Sequence, residues 1–219
     1  MLEGSRLATL VASKLCHDVM GPMGVMLQGI EMLKESDIAG RNAEALGLLE
    51  QSVTKAYAKM QFFRSALAGG LPSEGDSHLE DVRDTAERLF TALKPELVWT
   101  PRTVSMPNAV LRVALNVMLI AGECLPRGGK VTIETGQQGN EGELHIQVEG
   151  PRAILKSDVA ACLTGGTPED GFQPYNIQAA MTGLLARQAG INVLIRQTAE
   201  KQTPERLGFV LRAASIQIT

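Results

Sequence analysis

The chain has 219 residues, enough for one large domain or two small ones, and its 44% hydrophobic content suits a packed core. A net charge of -3 and a pI near 5.7, with no run of Lys and Arg, leave no basic surface for nucleic acid, and an aromatic fraction of 4% leaves no base-stacking platform. No apolar run approaches the roughly 18 residues that a bilayer span needs, and Glu3 and Arg6 interrupt any signal-peptide pattern, so a cytoplasmic protein is expected. The three cysteines, Cys16, Cys124 and Cys162, are odd in number and far apart, which signals neither a disulfide framework nor a zinc site.

Residues 5–35 carry apolar side chains at helical spacing: Ala8, Ala12, Leu15/Cys16, Val19, Met23, Met26/Leu27, Ile30 and Leu33. Cys16, on this stripe, is expected to pack as a small hydrophobe. A turn over 36–40 leads to a second helix over 42–68, with Ala45, Leu48/Leu49, Ser52/Val53, Ala56, Lys59/Met60, Phe63 and Leu67 near one stripe. Two long helices and a short turn predict an antiparallel hairpin. Met20, Val25, Met32 and Leu46 lie off these stripes, and pairing two hairpins into a four-helix bundle would cover them, so a homodimer is expected.

The Gly/Pro/Ser-rich stretch 69–77 is the clearest boundary, dividing the chain into a helical part, 1–70, and a second part, 71–219. Beyond it the pattern predicts a helix to about residue 93, an extended pair around Pro101 and a strongly apolar helix over 108–125. Strands at 130–135 and 143–149 flank a hairpin loop over 136–142. Two helices, 155–163 and 176–189, enclose a polar loop at 165–171, and a second strand pair follows at 192–198 and 207–213. That order is α+β: a mixed or antiparallel sheet with helices on one face.

His17 stands off the apolar stripe of the first helix. Its neighbours one turn away are Ser13, Lys14, Met20 and Gly21, with Gly24 and Gln28 further along. The helix thus holds an imidazole on a face with little bulk, beside Asp18 and one turn before Pro22, where the helix should loosen. The other histidines have weaker cases. His78 falls in the polar linker, and His145 sits in a strand without ligand partners at useful spacing. Glu123, Glu169 and Asp170 read as solvated or capping acids. No Gly-x-Ser-x-Gly elbow marks a serine hydrolase.

The stretch Leu15-Cys16-His17-Asp18-Val19-Met20-Gly21-Pro22-Met23 resembles the phosphoacceptor box of histidine kinases, His-Asp/Glu-x-x-x-Pro on the first helix of a dimeric hairpin. With Ser13 and Lys14 in front of it, the stretch is similar to the ChpT-type histidine phosphotransferases of alphaproteobacteria. That resemblance implies a dimeric four-helix bundle followed by a degenerate histidine-kinase ATPase-like, Bergerat-like, α+β domain. Asn116 matches the first Asn of the kinase Asn-x-x-x-Asn-Ala box, but Ile120 replaces the second, which would hold Mg²⁺. Glu149-Gly150-Pro151-Arg152-Ala153 has lost the Asp-x-Gly-x-Gly pattern, and Gln173-Pro174-Tyr175-Asn176-Ile177-Gln178-Ala179 replaces the glycine-rich phosphate loop. A phosphate cradle needs glycines so that backbone N–H groups can close on the oxygens. No ATP, no cofactor and no metal of its own is therefore expected.

The implied activity is a cell-cycle phosphorelay. A phosphoryl group passes from the receiver-domain aspartate of a hybrid kinase (CckA-like) to His17, then to response regulators (CtrA-like, CpdR-like), with Mg²⁺ supplied by the receiver. His17 and Asp18 are the expected catalytic pair; Lys14, Met20, Gly21, Met23 and Gly24 are the expected receiver-docking residues. Two other functions compete: an active ATP-dependent sensor kinase core, and a non-catalytic dimeric docking or inhibitor scaffold.

Overall fold

A computed structural model describes residues 4–35, 39–67, 70–72, 74–101, 104–197 and 205–218. The middle of the expected turn at 36–40, parts of the linker at 68–69 and 73, residues 102–103 and the expected strand end at 198 lie outside the described residues.

Helices α1 (Gly4–Glu35) and α2 (Ala39–Leu67) form the predicted hairpin. α1 runs through Pro22 without a break, although the proline ring removes the N–H that would bond the carbonyl of Asp18. Gly29 marks the close approach of the two helices, since a Cβ there would lie 2.8 Å from Leu49 Cγ. The inward face of α1 is Leu7, Val11, Leu15, Asp18, Pro22, Val25, Gly29 and Met32. The expected stripe is correspondingly turned. Leu15, Val19, Met26 and Leu33 are half-buried, while Ala8, Ala12, Cys16, Met23, Leu27 and Ile30 face solvent in the single chain. Cys16 therefore does not pack as a core residue. The cause is width: the apolar surface of α1 is broader than α2 and the second half of the chain can cover.

The second half begins with β1 (Asp76–His78), a 3₁₀ turn (Leu79–Val82) and α3 (Arg83–Ala92). β2 (Glu96–Trp99) and β3 (Val104–Pro107) follow, but they do not pair with each other. β2 lies parallel to β4 (Lys130–Gln138), whereas β3 joins β1 and the short β8 (Gln217–Ile218) in a separate three-stranded sheet. The main sheet has order β2-β4-β5-β7-β6, with β5 (Glu141–Gly150), β6 (Asn192–Gln197) and β7 (Glu205–Ala213) antiparallel. The β4–β5 hairpin is tighter than expected. Pairing continues to Gln138 and Glu141, so only Gly139 and Asn140 turn the chain, with Gly139 at φ +61.

Alternate residues of the strands, such as Val131, Ile133, Leu144, Ile146 and Phe209, point to one face and are fully buried. α4 (Asn108–Glu123), α5 (Ser157–Leu163) and α6 (Ile177–Gln188) complete the helical layer. α4 is apolar nearly all round, and that suits its place between the sheet, α6 and the end of α2. Phe62, Phe63 and Ala66 of α2 belong to the same buried cluster as the sheet, so one core links the hairpin to the second half. No helix among the described residues is long and apolar enough to cross a membrane.

Candidate functional site around His17

His17 projects from α1 with 85% of its side chain exposed. Gly21 and Gly24, on the same side, leave open space: nothing lies within 4 Å of a Cβ built at either. Met20 and Met23 are exposed as well. Exposed His17, Met20, Gly21, Met23 and Gly24 therefore all lie along one stretch of helix surface.

Asp18 is the next residue, but a step of one turns about 100° around a helix, and its carboxylate points inward with 11% exposure. One oxygen, Oδ2, accepts from the Lys14 ammonium at 2.8 Å; the other, Oδ1, lies 3.4 Å from His17 Nδ1. That second distance is long for an N–H···O bond. Lys14 is not a surface cation beside the imidazole. It is 13% exposed, and its ammonium also reaches Glu123 Oε1 at 3.2 Å, at the end of α4. Burial by itself would lower the Lys14 ammonium, but the charges of Glu123 and Asp18 and their hydrogen bonds outweigh it and hold the group above the usual lysine value. Glu123, which reads as a solvated acid in the sequence, is the member of this cluster that sequence reasoning missed. The partners are 109 residues apart, so no local spacing signals the contact.

Beside the cluster, between α1 and the second half, lies a cavity of about 390 Å³. Lys14, Glu123, Ile120, Cys124, Ile154 and Tyr175 are among its walls. Burial pushes the Cys124 thiol up to about 12, with the Glu123 charge adding to the shift. Tyr175 donates its hydroxyl to Asp158 at 2.6 Å, and Lys156 sits 4.7 Å above its ring. Ile120 and Tyr175 occupy the two places where the resemblance puts a metal-binding Asn and a phosphate-loop residue.

Asn116 is fully buried and committed to the protein. Its amide donates to the carbonyls of Ala66 at 3.1 Å and Arg112 at 2.7 Å, and its carbonyl accepts from buried Gln178. It pins the end of α2 to α4 and α6. Asn116 is thus spent on structure, while Ile120 and Glu123 give the cavity an apolar wall and a negative charge.

The remaining histidines stand apart from this cluster. His78 is exposed in β1. His145 lies 2.9 Å from Glu143, which also accepts from Arg212, on β5 and β7. Among the described residues, no group of three His, Cys, Asp or Glu side chains is placed to hold a metal ion.

The model of the histidine phosphotransferase C-terminal domain matches residues 79–201. Protein phosphotransferase ChpT of Brucella abortus (strain 2308) is 29% identical over 199 residues, which are 91% of this chain and 94% of that protein. A 1.7 Å structure of a bacterial phosphotransferase superposes with a TM-score of 0.82 at 28% identity, covering 96% of this chain and 98% of the other. The mycobacterial sensor histidine kinase MprB, at 17% identity and a TM-score of 0.51 over 67% of this chain and 99% of the other, shares the fold. With more than half of its length matched by that model, the chain belongs to the histidine phosphotransferase family defined by this C-terminal domain.

Proposed function

We propose that this phosphotransferase relays a phosphoryl group between receiver-domain aspartates through phospho-His17, without using ATP. The observation that carries the reading is the exposed His17 imidazole in a clearing made by Gly21 and Gly24, with Asp18 beneath it. A scaffold has no use for a nucleophile held in this way.

A neutral imidazole is a competent nucleophile near neutral pH. The lone pair on Nε2 attacks the phosphorus of a receiver's aspartyl phosphate. The N–P bond forms as the P–O bond to the aspartate breaks, and the electron pair leaves on the carboxylate. Asp18 would accept from Nδ1–H, keep that tautomer and stabilise the positive charge that develops on the ring. The second transfer reverses these steps onto another receiver's aspartate. The receiver brings its own Mg²⁺, and catalysis is mainly a matter of positioning. Met20 and Met23, flexible and exposed, suit a surface that meets two different receivers. The resemblance supports a hybrid kinase of the CckA type upstream and regulators of the CtrA and CpdR types downstream, all met in the cytosol.

In this reading residues 1–70 carry the phosphoacceptor and a dimer face, and residues 71–219 form the kinase-like part. Leu27 and Ile30 on α1, with Leu46, Val53, Tyr57 and Met60 on α2, are exposed in the single chain, and a second hairpin would cover them in a four-helix bundle. The isoleucine and the acid on the cavity wall and the buried Asn116 favour a protein that is not an autokinase.

The test is transfer of radiolabel from a phosphorylated receiver domain to the wild-type chain and to His17→Ala, with [γ-³²P]ATP alone in a separate lane. Label on wild type only, and none from ATP, is the expected result. Label from ATP alone would make the chain a kinase, and receiver binding without label would leave the scaffold.

A further inference from the structure

The shared ammonium of Lys14 has a consequence for the reaction just proposed, and the inference rests on that reading. Asp18 has two claims on it: Lys14 at 2.8 Å and His17 at 3.4 Å. Lys14 likewise has two carboxylate partners, Asp18 and Glu123. Glu123 occupies the final position of α4, where the negative end of the helix dipole disfavours a carboxylate, and the Lys14 ammonium 3.2 Å away offsets that. Lys14 comes from the hairpin and Glu123 from the kinase-like part, so the contact joins the phosphoacceptor helix to the rest of the molecule.

We infer that Glu123 is a positioning residue for phosphotransfer: by sharing Lys14, it leaves one oxygen of Asp18 free to accept from His17 Nδ1–H, and so keeps Nε2 unprotonated and facing the incoming phosphoryl group. A carboxylate held by one ammonium alone is drawn wholly toward it; a second carboxylate on the same ammonium weakens that hold. The position of the kinase-like part thereby reaches the imidazole without touching it. Any partner side chain that enters the adjacent cavity and takes Glu123 away from Lys14 would turn Asp18 from the ring.

The experiment uses the full chain as wild type, Glu123→Gln, Asp18→Asn and the double variant. Two readouts are taken. The first is single-turnover transfer from a receiver domain charged with [³²P]acetyl phosphate, over a range of receiver concentrations. The second needs no donor: ¹⁵N NMR of the His17 ring, which distinguishes a proton on Nδ1 from one on Nε2. Glu123→Gln is expected to lower the saturating transfer rate about five-fold with the half-saturating receiver concentration unchanged, and to move the ring proton toward Nε2. On the Asp18→Asn background Glu123→Gln should cost nothing further, because the two residues act through one contact. An unchanged rate and tautomer, additive losses, or a change confined to the half-saturating concentration would each overturn the inference. If wild type takes no label while the tautomer still responds to Glu123→Gln, the relay reading fails and the contact itself stands.

Discussion

Replacing His17 by Ala removes a side chain that is 85% exposed, so its folding cost should stay within about 0.5 kcal/mol, as at other surface positions, whatever it does to transfer. Asn116 is the opposite case. It is fully buried, and its amide serves two backbone carbonyls while its carbonyl serves Gln178. Asn116→Ala would strand the carbonyl of Ala66 and the amide of Gln178 away from water. We expect a loss of about 2–4 kcal/mol in urea unfolding, with label transfer retained where the variant is folded. A loss near zero would mean that the asparagine is not the pin between α2, α4 and α6. The two residues also differ in legibility. His17 stands out in sequence because its neighbours are small and polar, whereas the role of Asn116 depends on groups 50 and 62 residues away.

At the scale of elements, the hairpin leaves a long apolar face with no cover in the single chain. Leu27, at 63% exposed, and Val53, at 52%, lie within it, on α1 and α2. Placing a carboxylate at both positions, Leu27→Glu with Val53→Glu, should turn a dimer into a monomer in sedimentation equilibrium while leaving the helical circular dichroism of the chain largely intact. If wild type is already a monomer at tens of micromolar, the four-helix bundle is wrong. The face was partly visible in the sequence: the two helices carry more apolar positions than one hairpin can bury. Its direction was not. Periodicity marks a wide stripe, and which edge of that stripe turns inward depends on where α6 and the end of α4 pack against α1.

For the molecule as a whole, the boundary at residues 69–77 divides the sequence but not the core. Phe62, Phe63 and Ala66 pack in one cluster with Ile133, Leu144 and Phe209 of the sheet. Hairpin and kinase-like part should therefore unfold together. The single Trp, Trp99, lies on β2 and donates its ring N–H to Glu80 at 2.9 Å, so its fluorescence reports on the second half, whereas circular dichroism at 222 nm draws on the helices of both parts and most on α1 and α2. At a fixed protein concentration the two urea transitions should coincide. Separate midpoints would show two independent units.

The sequence by itself determined the helical hairpin, the order of the longer helices and of the main-sheet strands, the α+β class of the second half and the exposure of His17, because each follows from local periodicity and from which residues stand within one turn of another; the short β1 and β8 carry no such pattern. Only the tertiary structure decided that β2 runs parallel to β4 while β3 leaves for another sheet, that Asp18 turns inward, and that Glu123 reaches Lys14 from 109 residues away. Those outcomes depend on long-range packing and on charge pairs closed between distant segments, which no local pattern of residues encodes.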